Sequence, residues 1–324
     1  MKLLTKLLAL TLLLALILPV AGCVQNTKGV CNTVGVFQSG SGDDQIGFFV
    51  PDTDGEGVPA SCFFVDESGF MAIYDSVNSR IVVYAKDSEG NFKYNEQIPT
   101  NDIDRDIDVG AGELIYSNGV FYLSSRECIA TIKYELNSGD TPEYNVYTSD
   151  SFPCHPLTSV IPEGGGVYYM TAMPYVTQAG DRPSERPPIY LFKDGEMTES
   201  DVDIPVLYGY SMNNDRDSTF DYILNYGDEK FTLAFPQGET MGLVGADTDG
   251  CVYMMHSKVD PETAEGGNWL RKYDMQGNLL YDVEVISDVN KLTFSSAERY
   301  QIMADGTVYV MTYIDNCVTI FEVE

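Results

Sequence analysis

The chain is poor in positive charge. It has 19 Lys and Arg against 49 Asp and Glu among 324 residues, which gives a net charge of −30. Nucleic-acid binding depends on clustered cations that neutralise phosphates, so this balance excludes nucleic acid as an expected partner. The same deficit argues against docking on an anionic membrane by charge alone. Hydrophobic residues make up 44% and aromatic residues 12% of the chain, too much for a disordered acidic chain, so we expect a packed core.

Histidine is also scarce, with only His155 and His256 in the chain. Together with Cys154 they could form a zinc site, but the sequence shows no further ligand at a recognisable spacing. His256 stands where a predicted strand meets a loop, and a hydrogen-bonded structural histidine is common there. The sequence has no GxSxG, HExxH or P-loop pattern, and no helical period of convincing length after residue 23.

The first 22 residues have the pattern of a secretory signal peptide. Lys2 and Lys6 are followed by an uncharged, Leu-rich run over residues 7–20, as in the positive and apolar regions of such signals. A helix needs ~20 apolar residues to span a bilayer comfortably. The run is shorter than that, so a cleaved signal is favoured over a transmembrane anchor.

The segment Val20-Ala21-Gly22-Cys23 resembles the bacterial lipobox, in which small residues precede a Cys that becomes the lipidated mature N-terminus. The resemblance implies that Cys23 carries a diacylglyceryl group and a further acyl chain such as palmitate, which together anchor a protein stably. It predicts a cell-envelope lipoprotein on the cell membrane, facing outside the cytoplasm, whose lipid is its contact with the membrane. The alternative is an ordinary cleavage site that happens to precede a Cys.

Residues 24–45 are rich in Gly, Ser, Asn and Gln without a sustained apolar period, which is typical of a flexible tether. The predicted organisation is therefore a signal peptide at 1–22, a lipidated Cys and tether at 23–45, and one all-β domain at 46–324.

A glycine turn followed by a Tyr-rich strand recurs five times in that domain. The turn glycines are Gly69, Gly119, Gly166, Gly250 and Gly306. Each follows another strand-like run, which is a hairpin signal. After three of these glycines a third strand ends in an aromatic residue, and a fourth strand follows. Four short antiparallel strands in units of 40–55 residues are typical of β-propeller blades.

The spacing of these units predicts six blades. The gap between Gly166 and Gly250 is too long for one blade, and the sequence over 206–235 fills it with three strand-like runs of a degenerate blade. The last blade reaches Glu324 with three strands. We expect residues 46–50 to supply its fourth strand and so to close the ring, which would leave no exposed sheet edge.

Residues 69–84 resemble the NHL repeat, with Gly69, Asp75, Asn78 and Arg80 at the characteristic places. The resemblance covers this blade only. The other blades have Ser125, Ala172, His256 and Thr312 at the position of Asp75. NHL-type propellers include binding platforms, a peptide-amidating lyase domain and lactonase relatives, so the resemblance does not select a function.

Two loops predicted to lie on one face of the propeller are expanded, at 173–188 and 257–268. Loops are where scaffolds commonly carry function. Arginine could bind an anionic group and aromatic rings could stack on a ligand. The candidate ligand-binding residues are Arg182, Arg186, Tyr175, Trp269 and His256. The alternative is that the insertions are merely tolerated, with the arginines paired to Asp181 and Glu185.

Acidic residues alternate at Asp102, Asp104, Asp106 and Asp108. On a strand their carboxylates would share one side, where they could bind Ca²⁺. With His155, the first three form the candidate metal site. The glycine that an EF-hand loop requires is missing, and a solvated acidic strand face is the favoured interpretation. We therefore predict no cofactor, with Ca²⁺ or Zn²⁺ as the alternatives.

Six cysteines remain besides Cys23. They are Cys31, Cys62, Cys128, Cys154, Cys251 and Cys317. They could form three disulfides, but none shows CxxC or zinc-knuckle spacing, and free thiols are favoured. The sequence as a whole favours a binding or interaction module for a protein, peptide, glycan or small polar ligand. A metal-dependent propeller hydrolase or lyase is the alternative, and the sequence does not decide whether the protein is an enzyme.

Overall fold

A computed structural model describes residues 29–47, 62–100, 103, 113–125, 128–148, 158–163, 166–170, 188–201, 207–214, 219–226, 229–236, 239–259, 266–285, 299–315 and 317–324. These residues form β-strands and turns, and no helix is present among them. The signal peptide, Cys23 and residues 24–28 lie outside this range. Nor do the described residues include a helix long and apolar enough to cross a membrane.

The strands form six small antiparallel sheets, which are numbered here in chain order starting with the sheet that contains β2. The first strand, β1 (Cys31–Gln38), belongs to sheet 6 together with the last three strands. Sheet 1 contains β2 (Cys62–Val65), β3 (Phe70–Asp75), β4 (Arg80–Lys86) and β5 (Phe92–Pro99). Sheet 2 contains β6 (Glu113–Ser117), β7 (Val120–Ser124), β8 (Cys128–Lys133) and β9 (Glu143–Thr148). Sheet 3 contains β10 (Thr158–Glu163), β11 (Gly166–Met170), β12 (Ile189–Lys193) and β13 (Glu196–Ser200).

The second half of the chain continues this pattern with one shortened unit. Sheet 4 has three strands, β14 (Leu207–Asn214), β15 (Thr219–Tyr226) and β16 (Glu229–Pro236). Sheet 5 contains β17 (Glu239–Ala246), β18 (Val252–Val259), β19 (Gly266–Tyr273) and β20 (Leu279–Val285). Sheet 6 contains β21 (Arg299–Ile302), β22 (Val308–Ile314) and β23 (Cys317–Val323), with β1 beyond β23. The predicted three-stranded unit before Gly250 is therefore present as sheet 4.

Four of the tight turns share an Asp-x-x-Gly sequence that fixes their geometry. In each, one carboxylate oxygen of the aspartate accepts the backbone N–H groups two and four residues further along, and the glycine has a positive φ of 78–85°. Glycine adopts that conformation without the penalty that a Cβ imposes. The four aspartates are Asp66, Asp87, Asp247 and Asp274.

The sheets pack face to face around a common centre. The first strands of neighbouring sheets contact one another, β2 with β6 and β21, β6 with β10, and β17 with β21. Buried hydrophobic clusters fill the spaces between sheets 6 and 1, 1 and 2, 2 and 3, 5 and 6, and 4 and 5. Small antiparallel sheets arranged in this way are the architecture of a β-propeller, as the sequence predicts.

The strand that completes sheet 6 differs from the predicted one. β1 pairs with β23 from Cys31 opposite Val323 to Gln38 opposite Cys317. Because that edge of β23 is occupied, the prediction that residues 46–50 form the closing strand is wrong, and the predicted tether loses residues 31–38. The pairing shifts register between Thr33 and Gly35. Such a bulge interrupts the alternation of apolar and polar residues that identifies a strand.

The described cysteines are Cys31, Cys62, Cys128, Cys251 and Cys317, and no disulfide joins any two of them. This agrees with the favoured interpretation for these five residues. Cys154 lies outside the described residues.

Candidate functional site

A buried polar residue lies at the same place in four of the sheets. It stands six residues after the turn glycine, in the second strand or directly after it. We call the end of the sheets away from the turn glycines the loop end. The four side chains are no more than 2% exposed. They are Asp75, Ser125, His256 and Thr312. The sequence comparison with the NHL repeat placed Ser125, His256 and Thr312 at the position of Asp75, and the structure shows that all four residues are buried.

Between sheets 6 and 1, this position is covered by the chain itself. The Arg80 guanidinium pairs with Asp75 at 3.1 Å and donates from Nη1 to Gln97 Oε1 at 2.6 Å. From Nη2 it also donates to the backbone carbonyls of Gly42 and Gln45, both at 2.8 Å. Residues 40–46, which follow β1, are thereby held across the loop end. We call this stretch the covering segment.

Between sheets 4 and 5, the equivalent residue is His256, which is 1% exposed. Arg271 Nη1 lies 2.9 Å from His256 Nδ1 and the Tyr273 hydroxyl lies 3.3 Å from Nε2. An arginine can only donate, so Nδ1 accepts and the proton of the neutral ring sits on Nε2. Burial, and then the charge of Arg271, lower the pKa of His256 to about 3. The imidazole is therefore neutral at physiological pH.

Arg271 is held from its other side by the outer strand of sheet 5. Its Nε lies 3.1 Å from Asp282 Oδ2, and the two side chains are 21% and 37% exposed. Burial lowers the pKa of Arg271, but the hydrogen bond to Asp282 and that carboxylate's charge outweigh burial, so its pKa is raised overall. The guanidinium thus remains charged and partly open to solvent.

Trp269 lies directly opposite His256 on the neighbouring strand β19. Side chains two residues apart on a strand share a face, so Trp269, Arg271 and Tyr273 line one side of the sheet. The indole ring lies over Gly267, where a Cβ would come within 2.7 Å of it. Trp269 is partly buried and is the only tryptophan in the chain. We call Trp269, Arg271, Asp282 and His256 together the Arg271 site.

Half of the predicted loop at 257–268, residues 257–259 and 266–268, is an extension of the β18–β19 hairpin, and residues 260–265 lie outside the described residues. Strand pairing continues beyond His256, from Ser257 opposite Asn268 to Val259 opposite Gly266. The Ser257 hydroxyl and the Asn268 side-chain carbonyl form a buried hydrogen bond. The prediction of a loop at these six positions is therefore wrong, because polar residues and glycines masked the strand pattern. This hairpin carries Trp269 on the face of sheet 5 that packs toward sheet 4.

Several predicted site residues fall outside the described part of the chain. They are Arg182, Arg186, Tyr175, Asp102, Asp104, Asp106 and His155. Of the predicted ligand-binding residues, the structure brings Trp269 and His256 together. Among the described residues, no group of three or more His, Cys, Asp or Glu is placed to hold a metal ion. Sequence reasoning missed Arg271 and Asp282, although the alternation along β19 would have placed Arg271 on the same face as Trp269.

The chain matches no protein-family model and no curated protein. Among solved structures it is similar to virginiamycin B lyase from Staphylococcus aureus, with 12% identity over 91% of this chain and 99% of that protein and a TM-score of 0.40. It is also similar to a Bacteroides thetaiotaomicron protein of unknown function, with 14% identity over 91% and 76% and a TM-score of 0.42. A Xanthomonas campestris gluconolactonase matches at 10% identity over 94% and 93%, with a TM-score of 0.39. Nothing about the activity of this chain follows from likenesses of this degree.

Proposed function

We propose that the protein is a cell-envelope lipoprotein whose six-bladed, NHL-like β-propeller acts as a binding module outside the cytoplasm. The ring is supported by its six sheets, by β1 completing sheet 6, and by the packing that runs from sheet 3 through sheets 2, 1, 6 and 5 to sheet 4. The lipid anchor is supported by the lipobox-like sequence that ends at Cys23.

The path of β1 gives this anchor a direction. β1 begins opposite Val323, at the end of the sheets remote from the loop end. Residues 24–28 separate Cys23 from the first described residue, and five residues can span at most ~18 Å. In the proposed arrangement the membrane therefore lies near the end where β1 begins, and the loop end faces away from the membrane. The Arg271 site is then presented to molecules outside.

Binding is assigned to the Arg271 site on one observation. A charged guanidinium, fixed between His256 and Asp282, lies partly exposed on the same face as the ring of Trp269. Such an arginine can donate to the acceptor oxygens of a ligand, and an indole ring adds stacking surface. The ligands that this combination fits are a peptide, a glycan or a small polar molecule.

The binding proposal is tested through tryptophan fluorescence, which comes from Trp269 alone because the chain has one tryptophan. The purified chain from residue 24 onward is titrated with chitotetraose and, separately, with an uncharged glycine-rich octapeptide. We expect a saturable change with at least one of them that Arg271→Lys weakens and Lys133→Gln leaves unchanged, since the Lys133 side chain is 69% exposed on sheet 2. A titration that stays flat for both probes would contradict the proposal. Conversion of either probe to a product that stops with EDTA would instead favour the metal-dependent hydrolase or lyase.

The anchoring proposal has its own test. Cys23→Ala removes the thiol that accepts the lipid, so we expect the protein to leave the membrane fraction or to keep its signal peptide. Cys31→Ala is the matched control, because Cys31 begins β1 and is not the predicted lipidation site. A Cys23→Ala protein that still fractionates with membranes at wild-type size would exclude the lipoprotein assignment.

A further inference from the structure

The first strand joins sheet 6 in the direction along which its own N-terminus would be pulled. β1 starts at the end of sheet 6 where the given chain ends, because Val30 and Glu324 exchange both backbone hydrogen bonds at 3.1 Å. From there β1 runs to the loop end, where Gln38 lies opposite Cys317. A pull on the chain before residue 30, directed away from the loop end, therefore acts along the axis of β1.

The ladder between β1 and β23 meets such a pull with all of its hydrogen bonds at once. The two strands are paired at seven positions between Cys31 and Gln38. The hydrogen bonds of an antiparallel pair lie perpendicular to the strands, so a force along β1 loads them together, in shear. A force across the strands would instead open them one pair at a time, beginning with Val30 and Glu324.

The side chains of β1 also oppose sliding. Val34 and Phe37 are 8% and 5% exposed and belong to the hydrophobic cluster between sheets 6 and 1. The centroid of the Phe37 ring lies 4.2 Å from that of the Tyr84 ring on sheet 1. A shift of β1 toward its own start would draw both apolar side chains out of these contacts, and exposing them to water is unfavourable.

Beyond the loop end of β1, the covering segment acts as a stop. The Ile46 N–H donates to the Gln38 carbonyl at 3.0 Å and the Gly40 N–H donates to the Ile46 carbonyl at 3.1 Å, so the chain folds back on the end of β1. Ile46 is fully buried in the same hydrophobic cluster as Val34. Asn78 donates to the Gly40 carbonyl, and Arg80 donates to two further carbonyls of the segment, all at 2.8 Å. β1 cannot slide without drawing Ile46 out of the cluster.

From this geometry we infer that β1 and the covering segment form a load-bearing joint between the domain and its N-terminal anchor. The inference rests on the proposed lipid anchor for the source of the pull, since residues 24–30 alone separate Cys23 from β1. A molecule held at the loop end while the lipid stays in the membrane would load the joint in this direction. The joint itself is a property of the described strands, so its test needs neither lipid nor ligand.

The joint is tested by pulling single molecules of the chain from Cys23 to Glu324 with optical tweezers. One handle is fused before Cys23, in place of the lipid. The second is attached either to azidophenylalanine in place of Asp315, in the exposed turn between β22 and β23 at the loop end, or to the C-terminus after Glu324. The first arrangement pulls along β1 and the second pulls across it. We expect β1 to be released at a force several-fold higher along the strand than across it.

Two isoleucine variants separate the joint from the general stability of the domain. Ile46→Ala removes a fully buried side chain from the covering segment, and Ile98→Ala removes one from the cluster between sheets 1 and 2. Both should lower the melting temperature, because each leaves a cavity in the core. Forced unfolding depends on the rate along the pulled path rather than on overall stability. Only Ile46→Ala should therefore lower the force that releases β1 along its axis.

Equal release forces in the two pulling arrangements would overturn the inference. An equal fall in the force along β1 for both isoleucine variants would overturn it as well, because the resistance would then come from the domain as a whole. The comparison of arrangements leaves β1 and the covering segment intact, so it decides the inference even if Ile46→Ala does not fold. Failure of the Cys23→Ala anchoring test would remove the membrane as the source of the pull without changing either force, which keeps the two failures distinguishable.

Discussion

The junction between sheets 6 and 1 and the junction between sheets 4 and 5 each carry an arginine on the third strand of a sheet. Arg80 lies directly opposite Asp75, whereas Arg271 lies two residues beyond Trp269, the residue opposite His256. At the first, Arg80 is paired with Asp75 and covered by residues 40–46, so its hydrogen bonds hold the structure together. At the second, Arg271 is paired with Asp282 and partly exposed. Asp75 and Arg80 thus hold the covering segment in place, whereas the more exposed Arg271 belongs to what we call the open site.

The largest loss of stability is expected from removing β1, the strand at the junction between sheets 6 and 1. Deleting residues 24–38 removes β1, which buries Val34 and Phe37 against sheets 6 and 1. It also leaves the β23 edge unpaired. We therefore expect that the shortened chain no longer unfolds in a single cooperative transition. Deleting residues 24–28 is the matched control and should leave the transition unchanged. Circular dichroism during heating measures both, and equal melting temperatures would show that β1 does not close the domain.

The next largest difference is expected between alanine substitutions of the two arginines. Arg80→Ala leaves the buried Asp75 carboxylate without its partner and releases the covering segment, which we expect to cost about 3–5 kcal/mol. Arg271→Ala should cost about 1 kcal/mol, because its ion pair with Asp282 is partly exposed. Urea denaturation followed by circular dichroism compares the two free energies of unfolding. Similar losses for both variants would contradict the distinction between a structural and an open site.

The two junctions should also differ in how acid affects them. The pKa of His256 is about 3 in the folded chain, against an ordinary value of 6.5. Below pH 6.5 the unfolded chain binds a proton that the folded chain does not, so stability decreases as the pH is lowered from 6.5 toward 3. The slope approaches ~1.4 kcal/mol per pH unit for one proton. His256→Gln should remove this contribution.

The acid effect is measured as the free energy of unfolding in urea between pH 7 and pH 5, where most carboxyl groups do not yet titrate. Thr312→Val is the control, because Thr312 occupies the equivalent position in sheet 6 and has no titratable group. Parallel curves for wild type and His256→Gln would mean that the imidazole is not held neutral by burial.

The smallest effect is confined to the open junction. Gly267→Ala would place a methyl group where the Trp269 ring now lies, so the ring must move. We expect a shift of the tryptophan emission maximum with a change in stability of less than about 1 kcal/mol, because the ring is partly exposed. Gly90→Ala is the control for the emission maximum only: its φ of 85° makes the substitution destabilising, but a Cβ there meets nothing within 4 Å, so the Trp269 emission should not shift. An unchanged emission maximum in Gly267→Ala would place the ring elsewhere.

Much of the fold could be predicted because its signals are local. Glycine turns and alternating strands mark the hairpins, and the Asp-x-x-Gly turns fix them through hydrogen bonds within four residues of the aspartate. β1 could not be predicted because its bulge between Thr33 and Gly35 breaks the alternation and its partner lies at the far end of the chain. Its burial depends on that partner rather than on its own pattern.

The candidate site was predictable only in part. Trp269 and His256 stand out by their rarity, whereas Arg271 and Asp282 look like the polar face of any solvated strand. Their importance comes from the register that sets Arg271 opposite Asp282 and from the packing of sheet 4 against this face of sheet 5. Both properties belong to the arrangement of sheets, which no short sequence window contains.

The pairing of Cys31 with Val323 also sets the order in which the domain can be made. Among the described strands, β1 is made first but its neighbour β23 is made last, so β1 is among the last of them to be paired. The residues paired in this ladder are separated by almost the full length of the given sequence, and such non-local contacts form slowly. Until β23 has been made, β1 has no partner on this edge of sheet 6 and the six-sheet arrangement is incomplete.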